Sequence, residues 1–217
     1  MLIKNIVFDL GGVILDIDPM VTVRNFEELG FRNFIGSYNF PNQSPLFDAI
    51  EVGKITDSEF RDGLGLLFGS DAEDGAIDAA WNAMLLRMPP LRIKILEQLA
   101  SHYRIFLLSN TNCIHIRALG DLLECSVGFR DFGHLFEKVY YSFEIGMRKP
   151  MVEIFDYVLT DRNLMGCETL FIDDAESNLI GAAKAGLHTL HLHISDEEMA
   201  DLFTDGELNS RAWEKIS

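Results

Sequence analysis

The chain has 217 residues, 48% of them hydrophobic and 24% charged, which sets it among folded globular proteins and apart from disordered chains. Its formal charge of −16 repels polyanions and no Lys/Arg stripe offsets this locally, so nucleic acid is not an expected partner. No apolar run approaches the roughly 20 residues of a bilayer span, so no membrane partner is expected either. The residues before Asp9 form neither a signal-peptide core nor a cleavage pattern, which makes the cytoplasm the expected address. Cys113, Cys125 and Cys167 are too scattered for a disulfide framework or a zinc site, and each is expected as a small buried apolar residue.

Leu2 to Phe8 is an apolar, β-branched run that stops at Asp-Leu-Gly-Gly, the pattern of a buried strand feeding a tight turn. From about Pro19 to Pro89 no strand-like run occurs and helical signals dominate. Thr56-x-x-Glu59 and Ser70-x-x-Glu73 resemble capping boxes, and Trp81, Met84 and Leu85 recur at helix-face spacing, with Trp81 expected in a local core. Pro89-Pro90 marks the return to the main domain, which divides the chain into a core of residues 1–18 and 88–217 and a helical insertion of residues 19–87. Leu91 to His102 places Leu91, Ile95, Leu96 and Leu99 on one helical face. Strand-like runs follow at Arg104–Leu108, Lys138–Ser142, Thr169–Ile172 and His188–Leu192. Pro150 is expected to open a helix over Met151–Leu159, and Gly186 to close one over Asn178–Ala185. A short helix capped by Ser195 and Glu198 is expected near the end. Five strands alternating with helices imply an α/β fold with a Rossmann-like parallel sheet covered on both faces.

In such sheets ligands gather beyond the carboxyl ends of the strands. Asp9, Ser109 with Asn110, Arg148 with Lys149, and Asp173 with Asp174 all follow strand ends. Three converging carboxylates repel one another unless a hard cation holds them, and Mg²⁺ suits carboxylates plus a substrate phosphate. Lys149 and the metal can neutralise a phosphoryl group, Ser109 and backbone N–H groups can bond its oxygens, and a free carboxylate can attack phosphorus.

The set of Phe-Asp-Leu-Gly-Gly-Val (8–13), Leu-Leu-Ser-Asn (107–110), Gly-Met-Arg-Lys-Pro (146–150) and Phe-Ile-Asp-Asp (171–174) with Asn178 resembles the haloacid dehalogenase superfamily over nearly the whole chain. The resemblance implies a sheet order of 5-4-1-2-3, counting the five runs in chain order. It makes Asp9 the nucleophile and a metal ligand, with Ser109 and Lys149 on the phosphoryl group. Asp173, Asp174 and the Gly11 carbonyl complete the Mg²⁺ site, and Gly11, Gly12, Asn110 and Arg148 join the phosphate-binding set. The helical insertion is similar to the family's cap, which closes over a small phosphorylated metabolite, and the wording is closest to sugar-phosphate phosphatases.

One position departs from the pattern: Gly11 stands where related phosphatases carry a second Asp as acid and base. Asp16 and Asp18 are the expected substitutes. Arg148 has a second reading, as the partner of a surface carboxylate. Lys54 supports a competing reading as a Schiff-base lysine like that of phosphonoacetaldehyde hydrolases, against its plainer reading as an exposed turn residue. A phosphometabolite-binding module without turnover is the third. Phe47, Glu51 and Lys54 are the candidates for specificity in the cap. His188, His191 and His193 do not form a metal tract, because strand alternation puts His188 on the face opposite the other two.

Overall fold

Residues of the first strand alternate between two cores: Ile6 and Phe8 enter one apolar cluster while Val7 enters another. Only a strand covered on both faces can do this. The computed structural model describes residues 2–38, 44–193 and 196–217, and shows this strand as β1 (Asn5–Phe8), at the centre of a five-stranded parallel sheet. After β1 come the short β2 (Asp16–Ile17) and a helical stretch of α1 (Pro19–Glu28), α2 (Phe34–Tyr38), α3 (Pro45–Glu51), α4 (Asp57–Phe68) and α5 (Asp74–Asn82). Then β3 (Leu85–Arg87) pairs antiparallel with β2, and α6 (Pro90–Leu99) leads back to the sheet. Strands and helices alternate from there: β4 (Arg104–Ser109), α7 (Cys113–Val127), β5 (Lys138–Tyr141), the single turn α8 (Ser142–Ile145), α9 (Val152–Asp161), β6 (Thr169–Asp173), α10 (Glu176–Lys184) and β7 (His188–His191). A 3₁₀ turn at Met199–Leu202, a hairpin of β8 (Phe203–Thr204) and β9 (Glu207–Leu208), and α11 (Ser210–Lys215) complete the chain.

The sheet order β5-β4-β1-β6-β7 is the expected one. One face carries Ile6, Phe8, Ile105, Leu107, Leu170 and Ile172 against α6, α7 and the C-terminal elements. The other carries Val7, Phe106, Leu108 and Phe171 against α9 and α10. A third core, built from Phe26, Phe34, Phe47, Phe60 and Trp81, lies within the helical stretch, where aromatic rings meet at centroid distances of 4.2 Å (Phe26–Phe34) to 6.4 Å (Phe26–Trp81). Among the described residues no helix is long and apolar enough to cross a membrane.

Several local expectations are corrected. Leu85 lies in β3 rather than on a helix face, so a strand does occur before Pro89. Thr56 and Glu59 form the expected capping box, but Ser70 and Glu73 do not. The Ser70 N–H instead donates to the Gly65 carbonyl at the end of α4, its hydroxyl accepts from the Ala72 N–H, and α5 starts only at Asp74. Leu91 is exposed because α6 turns Arg92 inward, to ion pairs with Asp16 and Glu198. Cys113 is half-buried and Cys125 and Cys167 are exposed, on the outer side of α7 and in the turn before β6. The Ser195 cap lies outside the described residues, whereas Glu198 does cap its 3₁₀ turn in a reciprocal pair with Asp201.

Pro150 precedes the Met151 N-cap of α9 instead of opening its first turn. The reason is that the Asn110 side chain holds both main-chain groups of Lys149 at 2.9 Å, keeping the segment out of the helix. α10 crosses this segment at Gly181, where an added Cβ would stand 2.2 Å from the Pro150 carbonyl oxygen and 3.0 Å from Phe155. Because the obstacle is backbone, Gly181→Ala is expected to cost about 1–3 kcal/mol in urea unfolding, and an unchanged midpoint would contradict this packing.

Candidate active site

The strand ends converge. Asp9 follows β1, Ser109 ends β4, Asp173 ends β6 with Asp174 after it, and Lys149 arrives on the loop between α8 and α9. Pairing continues past β1, as the Asp9 N–H donates to the Ile172 carbonyl at 2.9 Å, so the first and fourth core strands release their acids side by side. Asp9, Asp173 and Asp174 each offer an oxygen within 4.8 Å of the others. Lys149, only 1% exposed, donates from Nζ to Asp9 Oδ1 at 2.6 Å and to Asp173 Oδ2 at 2.7 Å. Asp173 is fully buried and also accepts from the Ala175 N–H at 2.8 Å and from Asn178 Nδ2 at 3.0 and 3.1 Å.

Two of the acids, Asp9 and Asp174, are shifted for physical reasons. Burial raises Asp9 to about 7 against the opposing pull of the Lys149 ammonium, with Asp173 and Asp174 adding to the rise. Asp174 is pushed up to about 6, by burial first and then by Asp173. Lys149 is raised despite its burial, because Asp173 and Asp9 hold its proton.

Asp9, Lys149 and Asp174 border a cavity of about 860 Å³ that also meets Gly11, Ser109, Asn110, Arg148 and Asn178. The glycines divide their tasks. Gly12 has φ +80 and its N–H donates to the Leu15 carbonyl at 2.8 Å, so it closes the turn and does not offer that N–H to a phosphate. A Cβ there would sit 2.5 Å from Asp174 Oδ2, so the missing side chain leaves room for that carboxylate. Asn110 borders the cavity but its amide is spent on Lys149. Arg148 follows its second reading: it bridges to Asp48 and to Glu51 Oε2, the latter at 2.9 Å, tying the Lys149 loop to α3.

Asp16 and Asp18 are drawn elsewhere. Asp16 pairs with Arg87 at 2.5 Å and Arg92 at 2.8 Å, and Asp18 caps α1 and pairs with Arg24 at 3.6 Å; neither borders the cavity. Lys54 is exposed and away from it, and Phe47 is sealed in the aromatic core, which leaves Glu51 as the one specificity candidate on the cavity wall. His191 and His193 share a face, with ring centroids 4.0 Å apart, and His191 Nε2 lies 2.8 Å from the Asp174 carbonyl, a supporting contact behind the acids. Sequence reasoning missed His115, which borders the cavity, and Asn82, to which it is hydrogen-bonded. An Asn-x-x-His spacing at a helix start points only to capping, and Asn112 does cap α7.

Residues 3–186 match the family of haloacid dehalogenase-like hydrolases. The chain belongs to this family. Among its relatives, a D-ribitol-5-phosphate phosphatase of Bacteroides thetaiotaomicron is 34% identical over 87% of the chain and 91% of that protein. A sesquiterpene phosphatase of Aspergillus oryzae is 26% identical over 87% and 89%. A haloacid dehalogenase family enzyme of B. thetaiotaomicron, solved with magnesium and inorganic phosphate, is 37% identical with TM-score 0.84, covering 93% of this chain and 100% of that one.

Removing the hub of the site has a definite consequence. In Lys149→Met two buried acids lose their counter-charge, which is expected to cost about 3–5 kcal/mol in metal-free unfolding at pH 7.5. With Asp9 titrating near 7, the deficit is expected to shrink at pH 5, where Asp9 is neutral. An equal deficit at both pH values would contradict this assignment of charge.

Proposed function

We propose that this haloacid dehalogenase-like hydrolase is a Mg²⁺-dependent phosphomonoesterase acting on a small hydroxylated metabolite, a sugar or polyol phosphate, with Asp9 as its covalent nucleophile. The observation that carries the reading is the triad of Asp9, Asp173 and Asp174 within 4.8 Å around the buried Lys149. Three one-sided carboxylates fit a hard divalent ion, and Gly12 leaves Asp174 the space to serve it. The ribitol-phosphate phosphatase and the relative solved with magnesium and phosphate support the same chemistry and substrate class.

In this proposal an oxygen of Asp9 attacks phosphorus and the ester oxygen departs, leaving the phosphoryl group on Asp9 until water releases it. Mg²⁺, when bound by Asp9, Asp173, Asp174 and the Gly11 carbonyl, supplies charge neutralisation for the phosphoryl oxygens. Lys149 Nζ, already against Asp9, holds the carboxylate in place and donates to a phosphoryl oxygen; the Ser109 hydroxyl donates to another. Asn110 serves by fixing Lys149 and Arg148 by fixing α3, so both are positioning residues. Residues 19–87 form the cap over a core of 1–18 and 88–217. The cytoplasmic address is kept as part of the proposal, supported by two exposed free thiols, which suit a reducing compartment. Gly11 supplies no acid for the leaving group and Asp16 and Asp18 are committed elsewhere, so neither of those two carboxylates is assigned the leaving-group proton.

Phosphate release measured over a panel of sugar and polyol phosphates tests the reading. Release is expected with Mg²⁺, is expected to be lost on chelation, and is expected to fall on the order of 10³-fold or more in Asp9→Asn. Binding without release from any ester would point instead to a non-catalytic module. Borohydride trapping on Lys54 would point to Schiff-base chemistry.

A further inference from the structure

His115 stands at the seam between the two parts of the molecule and has no role in the chemistry above. It is the third residue of α7, only 7% exposed, and its backbone N–H is capped by Asn112 Oδ1 at 3.0 Å. Its ring lies flat on Trp81 of α5, with centroids 4.8 Å apart and planes 14° apart. Nδ1 lies 2.9 Å from Asn82 Oδ1, also on α5. Burial pushes the imidazole down to about 3, so it is neutral at physiological pH and carries one N–H. With a carbonyl oxygen facing Nδ1, the proton is assigned to Nδ1, and Nε2 is left as an acceptor. Among the described residues nothing hydrogen-bonds Nε2. His115 borders the same cavity as Asp9 and Ser109, and Ile17, Trp81 and Met84 also line it. A fixed acceptor in an apolar wall discriminates among ligands by whether they bring a donor to it.

We propose that His115 is a specificity-determining residue that reads the leaving group, its Nε2 accepting a hydrogen bond from a hydroxyl on the carbon chain that carries the phosphate. The inference rests on the phosphatase reading and deepens it: the preferred substrate is a polyhydroxylated chain rather than a plain alkyl or prenyl phosphate. Because α7 belongs to the sheet side and Asn82 and Trp81 to α5, the acceptor is aimed only while the two parts are docked. Recognition of the hydroxyl is thereby coupled to closure of the cap.

The test uses the full chain with Mg²⁺. For the unaltered protein, kcat/KM is compared for ribitol 5-phosphate, its single-deoxy analogues and para-nitrophenyl phosphate, which has no aliphatic hydroxyl. Deletion of one particular hydroxyl is expected to lower kcat/KM at least tenfold, mainly through KM. In His115→Phe, which keeps an aromatic ring against Trp81 without the acceptor, the same deletion is expected to change kcat/KM less than twofold. The preference for the polyol ester over para-nitrophenyl phosphate is expected to drop at least tenfold. An unaltered protein indifferent to every hydroxyl, or a His115→Phe variant that retains the full deoxy effect, would overturn the assignment while leaving the phosphatase reading in place. A variant that loses both esters equally would make His115 a structural clamp. No release from any ester would remove both readings together.

Discussion

A buried ammonium wedged between two carboxylates, with a third acid beside them, is the interaction on which this molecule's chemistry depends. If all four groups were ionised, Asp9, Asp173, Asp174 and Lys149 would leave the pocket with two negative charges, since three acids face one base. In a buried setting that excess is costly, and the protein answers by raising Asp9 to about 7 and Asp174 to about 6. A divalent cation carries the compensating charge. Metal binding, proton release and the exposure of a nucleophilic carboxylate are thus three descriptions of one charge balance.

The fold makes that balance possible by geometry. A doubly covered parallel sheet brings the ends of β1, β4 and β6 to one rim, and their acids and hydroxyl emerge together because neighbouring strands run in register. Lys149 comes from a loop and needs an external restraint, which Asn110 supplies through both of its main-chain groups. Arg148 reaches from that loop into α3, Arg117 of α7 pairs with Asp57 of α4 at 2.7 Å, and His115 stacks on Trp81. The groups around Asp9 and Lys149 are therefore mechanically connected to the helical stretch.

The legible part of the sequence was the part governed by short-range pattern. Apolar runs ending in Asp9, Ser109 and Asp173 locate strands and the residues they release, and the five-strand order follows. Thr56 with Glu59 is readable because a capping box is complete within four residues. What escaped depended on distant partners or very short elements. β2 and β3 have two and three residues, too few for a period, and are held by pairing across the whole helical stretch. Leu91 lost its inward place to Arg92 because of acids at positions 16 and 198. The position of His115 is set by Asn82, 33 residues earlier, so nothing beside it in sequence announces a cavity wall. Arg148 gave two local readings, and only the placement of α3 decided between them.

Calorimetric titration of the metal-free protein with Mg²⁺ between pH 5.5 and 8 tests the charge balance most directly. With Asp9 titrating near 7 and Asp174 near 6, affinity is predicted to strengthen as pH rises through this range and to level off toward pH 8. Proton release, read from buffers of different ionisation enthalpy, is predicted to be greatest at the acid end. Binding that is independent of pH and releases no protons, or that survives unchanged in Asp173→Asn, would contradict the account.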